Sequence, residues 1–459
     1  MNFKLSAFTF ISFCFAAIVS VPAAQAVSLT TIVEGISNAR GVSFGPDGTM
    51  YVAEPGVGGD GACQPSPSTL FQPICAGNSG SIVRVKTDGQ TDRIFTGFQS
   101  LAEQPSGNQA AGPADLQFDS VGNAYLLTGY AGYPGNRDAE TLELGSNYAL
   151  PPQQLAVFPP SAPEDVLNTS NLAKLFKADL NTGGLTEIFD FAKYEIANNP
   201  DGGDQVTNPY DLTISGDTAY VVDGGGNATY SIKLDGSEAK ATALPLNIIT
   251  NPQLPELPPG AELPPGLINF LEPDENGDPR ISIQSVPTGG AVGPDGALYV
   301  GEYSGFPYPQ DEARIFRIGE DGVPTVFAEG FNAITELTFD KEGNLLVLQF
   351  TDTSQITSQD ISSLPGSLIR LAADGTRTTL VGAGEGLESA DGLTIGPDNQ
   401  IYVTNRGVGP GNGSVVRVNT GAEPVPEPAS VLGILALSAA GVGSKFKGKL
   451  KQLTHKFKA

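Results

Sequence analysis

The chain has 459 residues and a formal net charge of −25, from 25 basic against 50 acidic side chains, with one histidine, three cysteines and no tryptophan. That balance repels nucleic acid and anionic membranes, and it favours solubility and association with cations. The single histidine, His455, lies in a lysine-rich C-terminal tail, so Ser-His-Asp and Cys-His catalysis, a histidine-ligated zinc and a histidine general base are excluded from the rest of the chain.

The chain opens with Lys4, an apolar run over residues 5–19 and Ala24-Gln25-Ala26. This is the pattern of a secretory signal peptide over residues 1–26, to be removed by signal peptidase and kept out of the fold. An isolated strand, Val27-Ser28-Leu29-Thr30-Thr31-Ile32-Val33, follows.

From there a strand, a tight turn and a second strand recur six times. The first copy reads Gly41-Val42-Ser43-Phe44-Gly45-Pro46-Asp47-Gly48-Thr49-Met50-Tyr51-Val52. Later copies start at Asp115-Leu116, Asp211-Leu212, Gly290-Ala291, Glu336-Leu337 and Gly392-Leu393. Pro presets φ, Asp bonds its own backbone and Gly accepts φ > 0, so Pro-Asp-Gly between apolar runs predicts a turn between buried strands. Each repeat carries a second strand pair with its own turn, such as Ala313-Arg314-Ile315-Phe316-Arg317-Ile318 before Asp321-Gly322. Two hairpins per repeat predict an all-β, six-bladed β-propeller over residues 27–420. The sixth repeat stops after its third strand, Ser414-Val415-Val416-Arg417-Val418. The N-terminal strand resembles the fourth strand of the fifth repeat, Arg377-Thr378-Thr379-Leu380-Val381, and is expected to complete the last blade.

Repeat spacing runs from roughly 47 to 96 residues against a minimal blade of about 45. The excess lies in Pro-rich excursions over residues 131–171 and 245–279, read either as functional lids or as surface decoration. Cys14 leaves with the signal peptide. Cys63 and Cys75, an even pair in an exported chain, are expected to form a disulfide, worth about 3 kcal/mol through loop closure.

The C-terminus has a Pro-rich linker over residues 421–428, an apolar segment over 429–444 and a basic tail over 445–459. The apolar segment is short for a transmembrane span, and the lysines beyond it would stay cytoplasmic. With Pro426-Glu427-Pro428 as its motif, this order resembles the PEP-CTERM sorting signal of bacteria. The resemblance implies a transient membrane tether, cleavage by an exosortase-type peptidase and release to the cell surface or its matrix; an ordinary anchor is the alternative. Without both ends, residues 27–425 keep 18 basic and 49 acidic side chains, a net charge near −31.

If the strands form a ring, three rows of residues meet at the channel mouth. At the head of the inner strands stand Gly41, Asp115, Asp211, Gly289, Glu336 and Gly392, preceded by Arg40, Ala114, Tyr210, Thr288, Thr335 and Asp391. The second strands end on Glu54, Thr128, Asp223, Glu302, Gln349 and Asn405. Glu54, Asp211, Asp223, Glu302 and Asn405 are hard oxygen donors of the kind Ca²⁺ takes, and such an ion could polarise a carbonyl or activate water. Equally, carboxylates at strand ends accept backbone hydrogen bonds. Arg40, Asp115, Glu336, Asp391 and Asn405 are candidate ligand contacts, and Arg40 could instead pair with Glu54. Tyr303, Phe306 and Tyr308 are expected to overhang the mouth. Tyr51, Tyr125, Tyr220, Tyr299 and Tyr402 are assigned to the blade core.

Gly293-Pro294-Asp295-Gly296-Ala297-Leu298-Tyr299-Val300-Gly301-Glu302 with Gly305-Phe306-Pro307, and Asn208-Pro209-Tyr210-Asp211-Leu212 with Asp223-Gly224-Gly225-Gly226-Asn227, resemble the ScyD/ScyE family of exported NHL- or SMP-30-like propellers. The resemblance implies a cyanobacterial cell-envelope protein that binds a small molecule or polysaccharide, or assists maturation of an extracellular metabolite. It carries no agreed catalytic residues. The wider resemblance to SMP-30 proteins implies a divalent-metal hydrolase or lactonase as the alternative, and a structural matrix protein is a third.

Overall fold

A computed structural model describes residues 27–145, 166–252, 269–355 and 360–419. The expected signal peptide, linker, apolar segment and basic tail lie outside these residues. Among the described residues no helix is long and apolar enough to cross a membrane.

The turns follow their local chemistry. In the first repeat Asp47 accepts the Thr49 N–H at 3.0 Å and Gly48 takes φ 82°, while in the sixth Asn399 occupies the left-handed position at φ 60°. The strands they join are buried along their whole length: Met50–Glu54, Ala124–Thr128, Leu298–Glu302, Leu345–Gln349 and Ile401–Asn405 have no exposed residue. Unbroken burial, instead of alternation, means that both faces of each sheet are packed against neighbours.

The result is a mostly β protein made of four-stranded antiparallel sheets, as in a β-propeller. Val42–Phe44, Met50–Glu54, Pro73–Val85 and Thr91–Glu103 run in hydrogen-bonded order in the first, with Cys63–Pro65 also paired to Pro73–Val85. The second holds Pro113–Phe118, Ala124–Thr128, Lys174–Ala178 and Leu185–Asp190; the third holds Pro209–Ser215, Thr218–Asp223, Ala228–Lys233 and Ala239–Ala243. Pro287–Val292, Leu298–Glu302, Ala313–Ile318 and Pro324–Phe331 make the fourth, and Ile334–Phe339, Leu345–Gln349, Ser367–Leu371 and Arg377–Val381 the fifth. In the last, Leu393–Ile395, Ile401–Asn405 and Gly413–Asn419 are joined by Ser28–Ile36 from the other end of the chain, with Leu29 opposite Val418. The inner strands touch in succession, and Leu393–Ile395 touches Val42–Phe44. Apolar side chains fill the wedge between adjacent sheets; Ile36, Val42, Val52, Val83, Tyr402 and Val415 form one such cluster.

The Pro-rich excursions are more ordered than loose decoration where they are described. In the first, the wholly buried Arg137 donates to both oxygens of Asp190, at 2.6 and 2.8 Å, tying the loop to a neighbouring helix, Phe191–Asn198. In the second, Asn247–Thr250, Arg280–Ile283 and Asn269–Leu271 form a small three-stranded sheet that composition did not announce. Residues 146–165 and 253–268 of these excursions lie outside the described residues. Cys63 and Cys75 stand opposite one another on paired strands and are disulfide-bonded.

The N-terminal strand is held by packing as well as pairing, because Ile36 is 0% exposed whereas Ile32 is 36% exposed. Ile36→Ala is expected to cost about 2–5 kcal/mol in urea unfolding. Ile32→Ala is expected to cost under about 0.5 kcal/mol. Equal effects at the two positions would contradict this account of how the strand is seated.

Candidate functional site

Four inner strands have a register shift at their head, between Pro113 and Asp115, Pro209 and Asp211, Pro287 and Gly289, and Ile334 and Glu336. Ordinary strand geometry sends consecutive side chains to opposite faces, and a bulge re-aims one of them. Tyr210 and Asp211 therefore both reach the axis, where each bonds to residues of other sheets. The axis acquires two stacked layers from adjacent residues.

The outer layer is built on Arg40. Its Nη1 donates to Asp391 Oδ2 at 2.5 Å and to the Tyr210 hydroxyl, and Tyr210 donates to the same Asp391 oxygen at 2.7 Å. The guanidinium also lies over the Tyr210 ring, 4.9 Å from its centroid. Burial opposes the charge on Arg40, but Asp391 and Tyr210 more than offset it and raise its pKa. Three strands from the first, third and last sheets thus meet in one hydrogen-bonded group. The expected alternative partner, Glu54, is occupied elsewhere: it accepts from Arg93 Nε at 2.6 Å and Nη2 at 3.0 Å.

Tyr303, Phe306 and Tyr308 pack on one another, and the Tyr303 phenol is near enough to Arg40 and Asp391 to feel both charges. Tyr303 packs edge-on to Tyr308 at 6.1 Å, Phe306 to Tyr308 at 5.7 Å, and Tyr303 is tilted against Phe350 at 5.7 Å. The loop is pinned by N–H donations from Tyr303 to Val286 and from Gly305 to Gln284, both at 2.9 Å. Burial raises the Tyr303 phenol well above its usual range, and the charges of Asp391 and Arg40 also act on it.

The inner layer consists of Asp115, Asp211 and Glu336, at most 7% exposed. Asp211 shares hydrogen bonds with Asp115 and with Glu336. An ionised carboxylate has nothing to donate, so each of these contacts requires a proton. Burial pushes Asp115 up to about 6, and burial followed by the neighbouring carboxyl charges drives Asp211 and Glu336 well above the usual range. Backbone N–H groups of Leu116 (2.7 Å), Gly290 (2.8 Å) and Leu337 (2.9 Å) supply further donors. Glycine at the other heads makes room: a Cβ on Gly41 would lie 2.3 Å from Asp115 Oδ1, and one on Gly289 2.6 Å from Glu336 Cα.

The row at the second-strand ends does not converge. Glu302 accepts from Arg314 N (2.8 Å), Nε (2.8 Å) and Nη2 (2.5 Å). Asp223 accepts from Thr207 Oγ1 and Asn208 N, both at 2.6 Å, and from the N–H groups of Gly225 and Gly226. Asn405 accepts from Glu388 N at 2.7 Å and donates to Gly386 at 3.0 Å. Glu54, Asp223, Glu302 and Asn405 share no partner with one another, and Asp211 belongs to the axial carboxyls. These five residues therefore do not form a Ca²⁺ centre together; the second-strand ends are used to close their own sheets. Among the described residues no group of three or more His, Cys, Asp or Glu is arranged to hold a metal ion.

Tyr210 is the participant that sequence reasoning did not single out, although it stands in the row of Arg40 and Asp391. Tyr51, Tyr125, Tyr299 and Tyr402 are buried between strands. Three of them, Tyr125, Tyr299 and Tyr402, donate to their turn aspartates at 3.1, 3.2 and 2.8 Å.

No protein-family model and no curated protein matches the chain. Among solved structures, virginiamycin B lyase from Staphylococcus aureus is similar at 12% identity, covering 86% of this chain and 99% of that one, with a TM-score of 0.40. A gluconolactonase from Xanthomonas campestris aligns at 12% identity over 86% of this chain and 90% of its own, TM-score 0.43. A calcium-binding regucalcin from Agrobacterium tumefaciens aligns at 12% identity over 88% and 98%, TM-score 0.42. At such identities and scores these likenesses say nothing about activity.

The axial carboxyls make stability depend on pH in a defined direction. The folded protein keeps protons that the unfolded chain releases, so their contribution is full below about pH 4 and is lost as pH rises through about 6 for Asp115 and higher for the other two. Asp211→Asn, a neutral isostere, is expected to flatten the fall in unfolding free energy between about pH 5 and pH 8 by up to about 1.4 kcal/mol per pH unit. Superimposable wild-type and variant profiles would show that Asp211 does not titrate there.

Proposed function

We propose that the protein is an exported six-bladed β-propeller, sealed by its N-terminal strand, that holds a small ligand at the channel mouth in the manner implied by its ScyD/ScyE resemblance. Signal peptidase and an exosortase-type peptidase would process the two ends, leaving the domain at the cell surface or in the matrix. The reading rests on the Arg40–Tyr210–Asp391 group and on the cluster of Tyr303, Phe306 and Tyr308, of which Tyr303 feels the charges of that group. No single sheet needs a charged group assembled from three different sheets for its own stability. A polar group near aromatic faces suits a ligand that combines rings with hydroxyl groups. Because Asp391 already balances Arg40, the mouth favours a neutral ligand over an anion.

A second reading, a hydrolase or lactonase of SMP-30-like type, is favoured by one observation: Asp211 and Glu336 are buried against Asp115, with their pKa values driven well above the usual carboxylate range. Carboxyls with displaced pKa values can donate and recover protons during ester or lactone opening. In the metal-dependent form of this reading the expected ligand set is missing among the described residues.

The chain has 13 tyrosines and no tryptophan, so its intrinsic fluorescence reports tyrosine alone. Titrating the purified protein with a panel of hydroxylated aromatic compounds is expected to change this emission. Arg40→Met or Tyr303→Ala should weaken binding about 10–100-fold. Steady turnover of a lactone panel that Asp211→Asn abolishes and Tyr303→Ala only slows would favour the hydrolase. Neither binding nor turnover in the wild type would leave the matrix-protein reading.

A further inference from the structure

At the end of the sheets away from the channel mouth, one side-chain clasp recurs. In the fourth sheet Asp295 Oδ2 accepts from the Tyr299 hydroxyl at 3.2 Å and from Arg317 Nε at 2.8 Å. Tyr299 and Arg317 stand opposite one another on paired strands, as do Tyr402 and Arg417 in the last sheet, where Tyr402 donates to Asp398 at 2.8 Å. The first sheet has the same residues in the same register, Asp47, Tyr51 and Arg84, but here they do not bond to one another. Thr49 occupies both oxygens of Asp47, through its N–H at 3.0 Å and its hydroxyl at 2.9 Å; the matching residues, Ala297 and Gln400, have no hydroxyl. Arg84 is drawn outward, donating from Nε and Nη2 to Asp92 at 2.8 and 2.6 Å. Opposite Arg317 and Arg417 the outer strands carry Thr325 and Thr30 instead of an aspartate. Where the clasp is open the structure has a cavity of about 310 Å³, whose lining includes Asp47, Thr49, Tyr51, Arg84, Lys86 and Asp88.

A cavity of that size lies within the range of small-molecule sites. Its walls set donors and acceptors side by side with little net charge. Asp92 neutralises Arg84, and Lys86, 3.8 Å from Asp92, is the other cation, against the carboxylates of Asp47 and Asp88. An anion would meet these carboxylates, and an apolar ligand would strip water from charged groups without replacing it. A hydroxyl does neither: its proton goes to a carboxylate, and its lone pairs accept from an ammonium, a guanidinium or a phenol. Adjacent hydroxyls on one ring repeat that exchange. Tyr51, fixed by a tilted contact with Phe118 at 5.3 Å, contributes the phenol. We propose that this cleft in the first sheet is a second binding site and that it takes a neutral sugar unit. Thr49 and Asp92 are its determinants, because they keep Asp47 and Arg84 apart. The cleft lies at the opposite end of Val42–Phe44 from Arg40, so it is separate from the channel mouth and does not rest on the reading of that mouth.

Saturation-transfer NMR of the full chain with glucose, galactose, mannose and xylose is expected to show binding of at least one of these sugars in the millimolar range. Thr49→Ala combined with Asp92→Thr gives the first sheet the residues of the fourth. It should close the clasp and weaken that binding at least about 10-fold. No binding of any of these sugars to the wild type overturns the proposal. Undiminished binding in the double variant also overturns it, because the sugar would then sit elsewhere, the channel mouth included. Tighter binding of glucuronate than of glucose would overturn the neutral class. Should the double variant fail to fold, Lys86→Met changes a half-exposed side chain and is expected to weaken binding about 3–10-fold; unchanged binding there counts equally against the site. Dextran binding alongside glucose would assign the unit to a polysaccharide chain, and glucose binding alone would assign it to a free sugar.

Discussion

Room around one axis is the constraint on which the rest of this structure depends. The heads of the inner strands face one another there, and every side chain placed on one strand removes space from the others. Three heads carry Asp115, Asp211 and Glu336, and three carry Gly41, Gly289 and Gly392. The exchange is reciprocal, since the Asp115 carboxyl occupies the place that a Gly41 side chain would need. Removed from water, these carboxyls are satisfied by backbone N–H groups, by the Gln117 amide on Asp115 and by one another. Protonation is therefore imposed by packing before it is available to chemistry.

The head bulges add a second consequence. A plain strand would show the axis one side chain in two, and the mouth would then present either the Arg40 layer or the carboxyl layer. Because the bulge before Asp211 turns consecutive residues inward, one strand contributes Tyr210 to the ion-pair group and Asp211 to the cluster of acids. The loop from Tyr303 to Tyr308 is anchored to residues 284–286 and brings the Tyr303 phenol near the pair. Scaffold and candidate site thus use the same strands but different residues of them.

The repeat, its turns and its buried runs were legible in the sequence because each is local: Pro-Asp-Gly and a run of apolar residues carry their conformations with them. The rows at the strand heads were legible by counting from the turns, which is how Arg40 and Asp391 came to stand side by side despite a sequence separation of 351. Partner choice was not legible. Glu54 goes to Arg93, a residue on the outer strand of its own sheet, and that preference depends on sheet register. The bulges left no mark in composition, so Tyr210 looked like any strand tyrosine. The small sheet in the second excursion was hidden by the prolines that crowd the sequence between Asn247–Thr250 and Asn269–Leu271.

The pairing of Ser28–Ile36 with Gly413–Asn419 also sets an order of events. Asn419 bonds back to Ser28 across 391 residues, so the first strand synthesised finds its partner only when the last one exists. Closing so long a loop adds little entropy cost per residue, but it cannot happen early. Until then the nascent protein has an open edge at each end, with Leu29 and Val418 uncovered, and such edges recruit other chains. A molecule built this way cannot finish its fold until Gly413–Asn419 has been made.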